Sequence, residues 1–459
     1  MPLDRRFVTP MTDRPRPFRS ILLIVLLVAL LARLPVMLTI LHHPERAILG
    51  SDARQYLGLA AILARYGTFS ESPPPILEPH ALRTPGYPAF IALFVPVWGA
   101  SPLGPLAVAQ GVIGAAVAVG VAMLGYRLFD RRVGLIAGLG YALAPVSVVM
   151  TGYAYAETLF AAWLVGGALL LVIGSDRQRW PLSGLGGLAF GAAALTRPIG
   201  LPLVPLLLAI PFTRLPPHRA WRHALALLAG FTLLAGAWMA RNYNHFGHFS
   251  LSIVGDLNLY YYNAASLEAH RLGIPLGEAR AQLDERLAEW PVEGDPWPAA
   301  SQGALARATI LAHPLAFAWY NGLDALNGCR PGFSFLLGLF DPSADRRDVV
   351  AVFMGGNVSA ALDALQAQAA LILALEGWMV LFTAVLVVLC LVGLVLLLIR
   401  KRWLESILLA LIPALLLYLP GIASNARFRA PVEPFLAILA AVGLDAVLAF
   451  FRRRRANTL

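Results

Sequence analysis

The chain has 459 residues, of which 58% are hydrophobic and 14% charged, against about 25% charged in soluble globular domains. That balance excludes a soluble enzyme and marks a protein threaded repeatedly through a membrane. The formal net charge of +10 would point a soluble domain toward nucleic acid. Here the arginines gather between apolar runs, so membrane topology accounts for them and no nucleic-acid partner is expected.

Residues 1–19 are polar, with Arg5, Arg6, Arg14, Arg16 and Arg19, and read as a cytoplasmic tail. Ser20 to Leu41 is apolar apart from Arg33. As a helix it measures roughly 33 Å, enough to cross the hydrocarbon core. No small-residue cleavage site follows, so an uncleaved anchor is expected rather than a signal peptide. Further apolar runs lie near 102–126, 133–150, 156–174, 182–196, 198–213, 223–240, 371–399, 404–422 and 431–451, which brings the expected spans to about ten. The short runs at 182–196 and 198–213 also fit a helical hairpin with a re-entrant element.

Charge orients these spans. Arg127, Arg131 and Arg132, then Arg177 and Arg179, then Arg214, Arg219 and Arg222 fall in alternate connections. Arg400, Lys401 and Arg402 and the terminal run Arg452 to Arg455 continue the pattern. Basic residues in short loops stay inside, so both termini are expected in the cytoplasm. The organisation expected is a tail at 1–19, a membrane module at 20–241 holding a first outer loop at 42–101, and an outer segment at 242–370. Spans over 371–451 and a basic tail at 452–459 complete it. The outer segment shows helical patterns at 264–290 and near 299–325, broken by Pro291, Pro296, Pro298 and Pro314, and is expected to lie partly on the bilayer. Residues 83–99 are apolar but too short to cross. They suit an interfacial helix with Trp98 at headgroup depth.

The first outer loop carries the first candidate for chemistry. Ser51-Asp52 opens a helix that runs to about Tyr66 and stops at Gly67. Asp52 is either a carboxylate at a helix N-terminus or a general base at the membrane surface. Tyr56 lies one turn later on the same face. Glu157, in YAYAETLF, is an ionisable group at the outer end of an apolar helix, and so a functional candidate or a solvated loop carboxylate. Arg83, Arg197 and Arg241 all fall at outer boundaries, against the positive-inside bias. Singly they read as snorkelling side chains. Together they make a site for an anionic headgroup, because guanidinium pairs bidentately with phosphate. Arg33, roughly 12 Å below the outer end of its span, is placed to join them. Arg427 and Arg429, in NARFRAPVEP, sit between the last two spans on the same side. Cys329 and Cys390 make neither a disulfide framework nor a zinc site.

The order of these motifs resembles the GT-C fold glycosyltransferases that use polyprenyl-phosphate sugars. The branch it is most similar to holds the lipid A aminoarabinose transferase and rhizobial galacturonosyltransferases, related to the protein O-mannosyltransferases. The resemblance rests on Asp52 and Tyr56 in the first loop and the turn Arg83 to Pro88, which includes Tyr87. Glu157 with Phe160, Leu195-Thr196-Arg197 and Trp238 to Tyr243 around Arg241 add to it, as does Arg427 to Pro434. Relatives place an arginine just before the loop tyrosine; here Gln55 stands there and Arg54 precedes it.

The resemblance implies an all-α integral membrane protein of the bacterial inner membrane, with its site on the periplasmic side. It implies inverting transfer from a polyprenyl-phosphate donor to a hydroxyl of lipid A, lipopolysaccharide core or another surface glycan. Asp52 and Glu157 are then the catalytic candidates, and Arg83, Arg197 and Arg241 bind donor phosphate. Tyr56, Tyr87, Arg427 and Arg429 contact donor or acceptor. No Asp-x-Asp pair or His/Cys cluster offers a metal site, so no obligatory metal or cofactor is expected, and a divalent metal has no support in the sequence. The rival classes are a transporter or flippase of lipid-linked sugars, and a glycan polymerase or ligase. A transporter commonly shows internal repeats and charges at mid-membrane depth, and no repeat is visible here.

Overall fold

A computed structural model describes residues 16–95, 101–290, 299–340 and 370–457. Every regular element among them is helical. The helices α1 (Arg16–His42), α2 (Gly50–Tyr66) and α3 (Gly86–Ala92) come first. Next are α4 (Leu103–Leu128), α5 (Arg131–Ala142), α6 (Pro145–Val149), α7 (Glu157–Asp176) and α8 (Trp180–Thr196). The broken apolar segment Pro198–Thr213 leads into α9 (Pro217–Phe246). The outer segment holds α10 (254–272), α11 (Leu276–Ala288), α12 (Ala300–Ala312), α13 (Pro314–Ala325) and α14 (Phe333–Phe340). The chain closes with α15 (Ala370–Ile399), α16 (Trp403–Tyr418) and α17 (Glu433–Asn457).

Six of these helices are long and apolar enough to cross a membrane, and the pair α5 and α6, bent by 54°, makes a seventh. The other three expected spans coincide with shorter helices: α8, the segment Pro198–Thr213, and α16. The bend between α5 and α6 has a local cause. Pro145 brings no N–H and cannot continue a helix from Ala142. The carbonyl of Ala142 is thereby orphaned, and Arg33 Nη1 donates to it at 3.1 Å. Arg33 is fully buried, with its guanidinium 5.6 Å from the Tyr141 ring. It does not join the outer arginines; it holds α1 to the broken end of α5.

The membrane helices approach closely where glycine permits. A Cβ on Gly187 of α8 would lie 2.0 Å from Leu227 O of α9, and one on Gly230 would lie 2.1 Å from Gly184 O. Lipid tails give apolar helices no reason to associate by hydrophobicity alone, so backbone contact of this kind supplies packing energy instead. A second apolar cluster lies under the outer face. It joins Ala53 and Tyr56 of α2, Tyr87 and Ile91 of α3, Tyr153 to Ala156, and Phe333 and Leu336 of α14. This cluster fixes the first outer loop against the outer ends of the spans.

Several expected elements are shorter than their sequence patterns. The interfacial helix of 83–99 is ordered as α3, Gly86–Ala92, and Trp98 lies outside the described residues. The pattern at 264–290 splits into α10 and α11 at Gly273, whose φ of +68° is left-handed. The pattern at 299–325 splits at His313-Pro314, since the residue before proline is turned from helical geometry.

Candidate active site

The site forms where four chain segments meet at one end of the spans. The first is the start of α2. Gly50 opens it with φ +74°, and Tyr155 Oη donates to the carbonyl of Leu49 just ahead. Asp52 thus stands in the first turn of α2, and Tyr155, two residues before Glu157 in the chain, ties that turn to the start of α7. The helix cap at Leu49 makes no side-chain hydrogen bond. Asp52 spends both its oxygens on arginines: Oδ1 accepts from Arg83 Nη2 at 2.5 Å and Oδ2 from Arg427 Nη1 at 2.8 Å.

The second segment is the turn before α3. A Cβ on Gly86 would meet Leu195 O at 2.7 Å, so only glycine lets this turn lie on the end of α8. That contact sets the turn following Arg83 against the residues just ahead of Arg197. Arg83 donates to Gln55 Oε1 from Nε at 2.9 Å and from Nη2 at 2.7 Å, and its guanidinium lies 5.3 Å from the Tyr56 ring. Tyr87 packs edge-on against Tyr56 with centroids 5.0 Å apart. Its hydroxyl donates to Gln110 Oε1 at 2.9 Å, and Gln110 Nε2 donates to Thr151 O and Tyr153 O at 3.0 and 2.8 Å. Tyr87 is fully buried, so it pins the turn to α4 rather than facing the open site.

The third and fourth segments bring the remaining charges. Pro198 ends α8 and leaves Arg197 extended, with Nη1 donating to Glu157 Oε1 at 2.6 Å. Asn425 caps a single helical turn, Ala426–Arg429, by accepting from Arg427 N at 2.9 Å. Arg427 Nε donates to the same Glu157 Oε1. Its guanidinium lies 3.7 Å from the Tyr155 ring centroid, and Phe428 lies under Arg197 at 4.9 Å. Arg427 therefore bridges the two carboxylates. The Glu157 side chain is 0% exposed and that of Asp52 27%, so of the two carboxylates only Asp52 is reachable from solvent. Glu157 Oε2 is buried with no hydrogen-bond partner.

Asp52 is held ionised. Burial pushes its carboxyl upward, but Arg427 and Arg83 together outweigh burial and bring it below the usual carboxylate value. Next to it, His80 Nε2 accepts from Arg83 N at 3.0 Å, which leaves the ring proton on Nδ1. Burial, with Arg83 and Arg241 nearby, lowers His80 to about 4, so its ring is neutral at pH 7.

Two expected binding residues stand apart from this centre. Arg241 Nη1 donates to His80 O at 3.0 Å and to Asn242 Oδ1 at 2.8 Å, with its guanidinium 4.8 Å from the Trp238 ring. It supports the site through His80. Arg429 turns inward, with Nε on Glu433 Oε1 at 2.9 Å and Nη1 on Gly328 O and Arg330 O at 3.2 and 3.0 Å. That arginine ties α17 to the segment following α13. His80, Gln110 and Tyr155 carry no motif that marks them in the sequence, and Gln55 is marked there only as a departure from the family pattern. Tyr155 had a signal, sitting two residues before Glu157 in an aromatic pair. Arg54 is exposed and outside the cluster. Among the described residues no group of three or more His, Cys, Asp or Glu side chains gathers.

Neither a protein-family model nor a curated protein matches the sequence. Solved structures do resemble it. The apo form of the Archaeoglobus fulgidus oligosaccharyltransferase is 14% identical with a TM-score of 0.52, covering 98% of this chain and 52% of that one. The chain has the GT-C fold. It spans about half the length of that oligosaccharyltransferase. Looser likenesses are ArnT from Cupriavidus metallidurans bound to undecaprenyl phosphate and the arabinosyltransferase EmbB from Mycobacterium smegmatis. ArnT is 14% identical at TM-score 0.39, over 93% of this chain and 77% of that one. EmbB is 16% identical at 0.36, over 83% and 42%.

Proposed function

We infer that this protein is an inverting glycosyltransferase. It moves a sugar from a polyprenyl-phosphate donor to an acceptor hydroxyl at the outer face of a bacterial inner membrane. The observation that carries the reading is the bridge from Asp52 through Arg427 to Glu157, flanked by Arg83 and Arg197. Three guanidinium groups and two carboxylates sit where spans meet the outer surface. A lipid-linked phosphate held in the bilayer presents its headgroup at that level.

Phosphate is a good leaving group, with a second pKa of about 6, and needs charge stabilisation more than protonation. Preorganised guanidinium groups supply that stabilisation as the glycosidic bond breaks. Inversion needs a base on the opposite face of the sugar. Asp52, partly exposed and ionised, takes the acceptor proton. Without donor, the carboxylates occupy the arginine edges that a phosphate would take. Donor binding draws Arg83 and Arg427 toward phosphate, loosens their hold on Asp52 and strengthens it as a base. Lipid A, lipopolysaccharide core and other surface glycans all offer suitable hydroxyls. The transporter reading is disfavoured by depth: these acids lie at the outer boundary, and the deep Arg33 is fixed on the Ala142 carbonyl.

Mass spectra of lipid A and surface glycans would test the reading, taken from a strain lacking the protein and complemented by wild type or Asp52→Asn. A sugar lost in the deletion, restored by wild type and not by the variant, is the expected result. Equal restoration by the variant would remove Asp52 from the chemistry, and unchanged glycans in all strains would count against transfer to these acceptors.

A further inference from the structure

Helix α13 is built the wrong way round for a helix in water. Its polar side chains point into the protein: Asn321 and Asp324 are buried. Asn263 Nδ2 donates to Asn321 Oδ1 at 2.8 Å, Ser266 Oγ donates to Asp324 Oδ2, and His270 Nε2 lies 3.2 Å from Asp324 Oδ1. Its exposed face is apolar. Leu315 is 86% exposed, Trp319 66% and Leu323 44%, preceded by Leu311 at 75% and followed by Leu326 at 62%. Leu315, Trp319 and Leu323, four residues apart, share one stripe of α13, and Leu311 and Leu326 flank it on the neighbouring elements. No charged side chain of α13 lies on that face, since Asp324 is its only Asp, Glu, Lys, Arg or His. Helix α11 in the same segment differs: its exposed residues include Glu278, Asp284, Glu285 and Arg286.

The depth of α13 follows from what it touches. Asn321 Nδ2 donates to Tyr418 O at 2.8 Å, and Tyr418 Oη donates to Ala318 O at 3.4 Å. The Phe317 and Tyr418 rings pack with centroids 6.5 Å apart. Tyr418 ends α16, which begins at Trp403 directly after the basic run Arg400 to Arg402. At 1.5 Å per residue that helix reaches about 24 Å from the inner boundary, less than the roughly 30 Å of a hydrocarbon core. Tilt only reduces this height. The part of α13 beside Tyr418 is thus at or just inside the outer edge of the hydrocarbon. Leu411 of α16 is itself outward-facing and apolar, at 46% exposure, so the stripe continues a lipid-facing surface.

The geometry points to the outer leaflet of the bilayer as the partner of this stripe. Helix α13 lies in the interface with Leu311, Leu315, Leu323 and Leu326 among acyl chains and Trp319 at headgroup level. The helix anchors the outer segment to the membrane beside the site, while α11 stays in water. Indole rings favour that depth, and an amphipathic face of this kind binds by its buried apolar area.

Spin labels at single cysteines would read the depth directly. The full chain, with Cys329→Ser and Cys390→Ala, would carry Leu315→Cys, Leu323→Cys or Glu285→Cys. Each is reconstituted in vesicles of phosphatidylethanolamine and phosphatidylglycerol in equal parts. Collision rates with oxygen, which concentrates in lipid, and with a water-soluble nickel chelate are then compared. The oxygen-to-nickel ratio is expected to be several-fold higher at 315 and 323 than at 285. Nickel access at 315 and 323 equal to that at 285 would place the stripe in water and overturn the proposal. Exclusion of both reagents at 315 and 323 would overturn it in another way, by showing a protein cover such as a second copy. All three positions are exposed, so the substitutions leave packing intact. The readout is independent of sugar transfer, so it stands or falls apart from the glycosyltransferase reading.

Discussion

Arg427 Nη1 donates to Asp52 Oδ2 at 2.8 Å across a chain separation of 375 residues. Through its Nε the same guanidinium holds Glu157. A planar fork that serves two carboxylates at once cannot be replaced by a point charge. Arg427→Ala is expected to lower sugar transfer by about 100- to 1,000-fold, the usual cost of losing a preorganised charge donor. Arg427→Lys should recover only a small part of that loss. Both are to be measured as kcat/KM on purified protein alongside the melting temperature. Near wild-type transfer by Arg427→Ala would show that the bridge is structural.

Asp52→Asn separates the base from a structural carboxylate. Asparagine keeps the shape but can accept from only one of Arg83 and Arg427, which bind different oxygens of Asp52. If Asp52 takes the acceptor proton, turnover should fall by about 100- to 10,000-fold while donor affinity persists. Unchanged turnover with an unchanged melting temperature would transfer the role elsewhere.

The same aspartate predicts a pH dependence. Its folded pKa lies below the ordinary 3.8 because of Arg427 and Arg83. A depressed carboxyl stays ionised until the pH falls through that lowered value, and its contribution to stability is lost over the same window. The acid limb of donor-free enzyme, read as kcat/KM, should therefore lie below 3.8 for this group. Arg427→Gln should move it upward. An acid limb that ignores this substitution would mean that another group controls it.

Arg83 and Arg197 should differ from Arg241. The first two touch the carboxylates of the centre, and each alanine variant should weaken polyprenyl phosphate binding by on the order of 1.5–3 kcal/mol. Arg241 reaches the centre only through His80. Arg241→Ala should reduce melting temperature more than affinity. Equal affinity losses at all three would place Arg241 against the phosphate itself.

His80 makes the first outer loop acid-sensitive. A histidine lowered from 6.5 to about 4 in the folded state takes up a proton on unfolding between those values. Its contribution is complete above 6.5 and is lost as pH falls toward about 4. Hydrogen exchange over residues 68–83, corrected for intrinsic rates, should speed up between pH 7 and pH 5, and His80→Gln should flatten the response. Exchange that is independent of pH in the wild type would contradict the buried neutral ring.

Much of this molecule was legible in its sequence. Apolar runs long enough to span a bilayer marked the helices, because a helix satisfies its backbone hydrogen bonds within itself in lipid, and arginines confined to alternate connections carry the expected orientation. Asp52 at a span mouth and Glu157 in an apolar helix were visible for the same reason: isolated charge there is costly. What the sequence could not say was which charges meet. Arg241 and Arg429 look equivalent to Arg197 and Arg427 as boundary arginines, yet Arg429 is folded back onto Glu433 and Arg241 onto the His80 carbonyl. Arg33 looks like a deeper member of the set and instead completes the orphaned carbonyl at Ala142. Those choices rest on contacts between segments far apart in the chain, such as Gly86 on the end of α8 and Tyr155 on Leu49. Local pattern assigns a residue to a boundary. Only packing decides which partner lies within hydrogen-bond reach there.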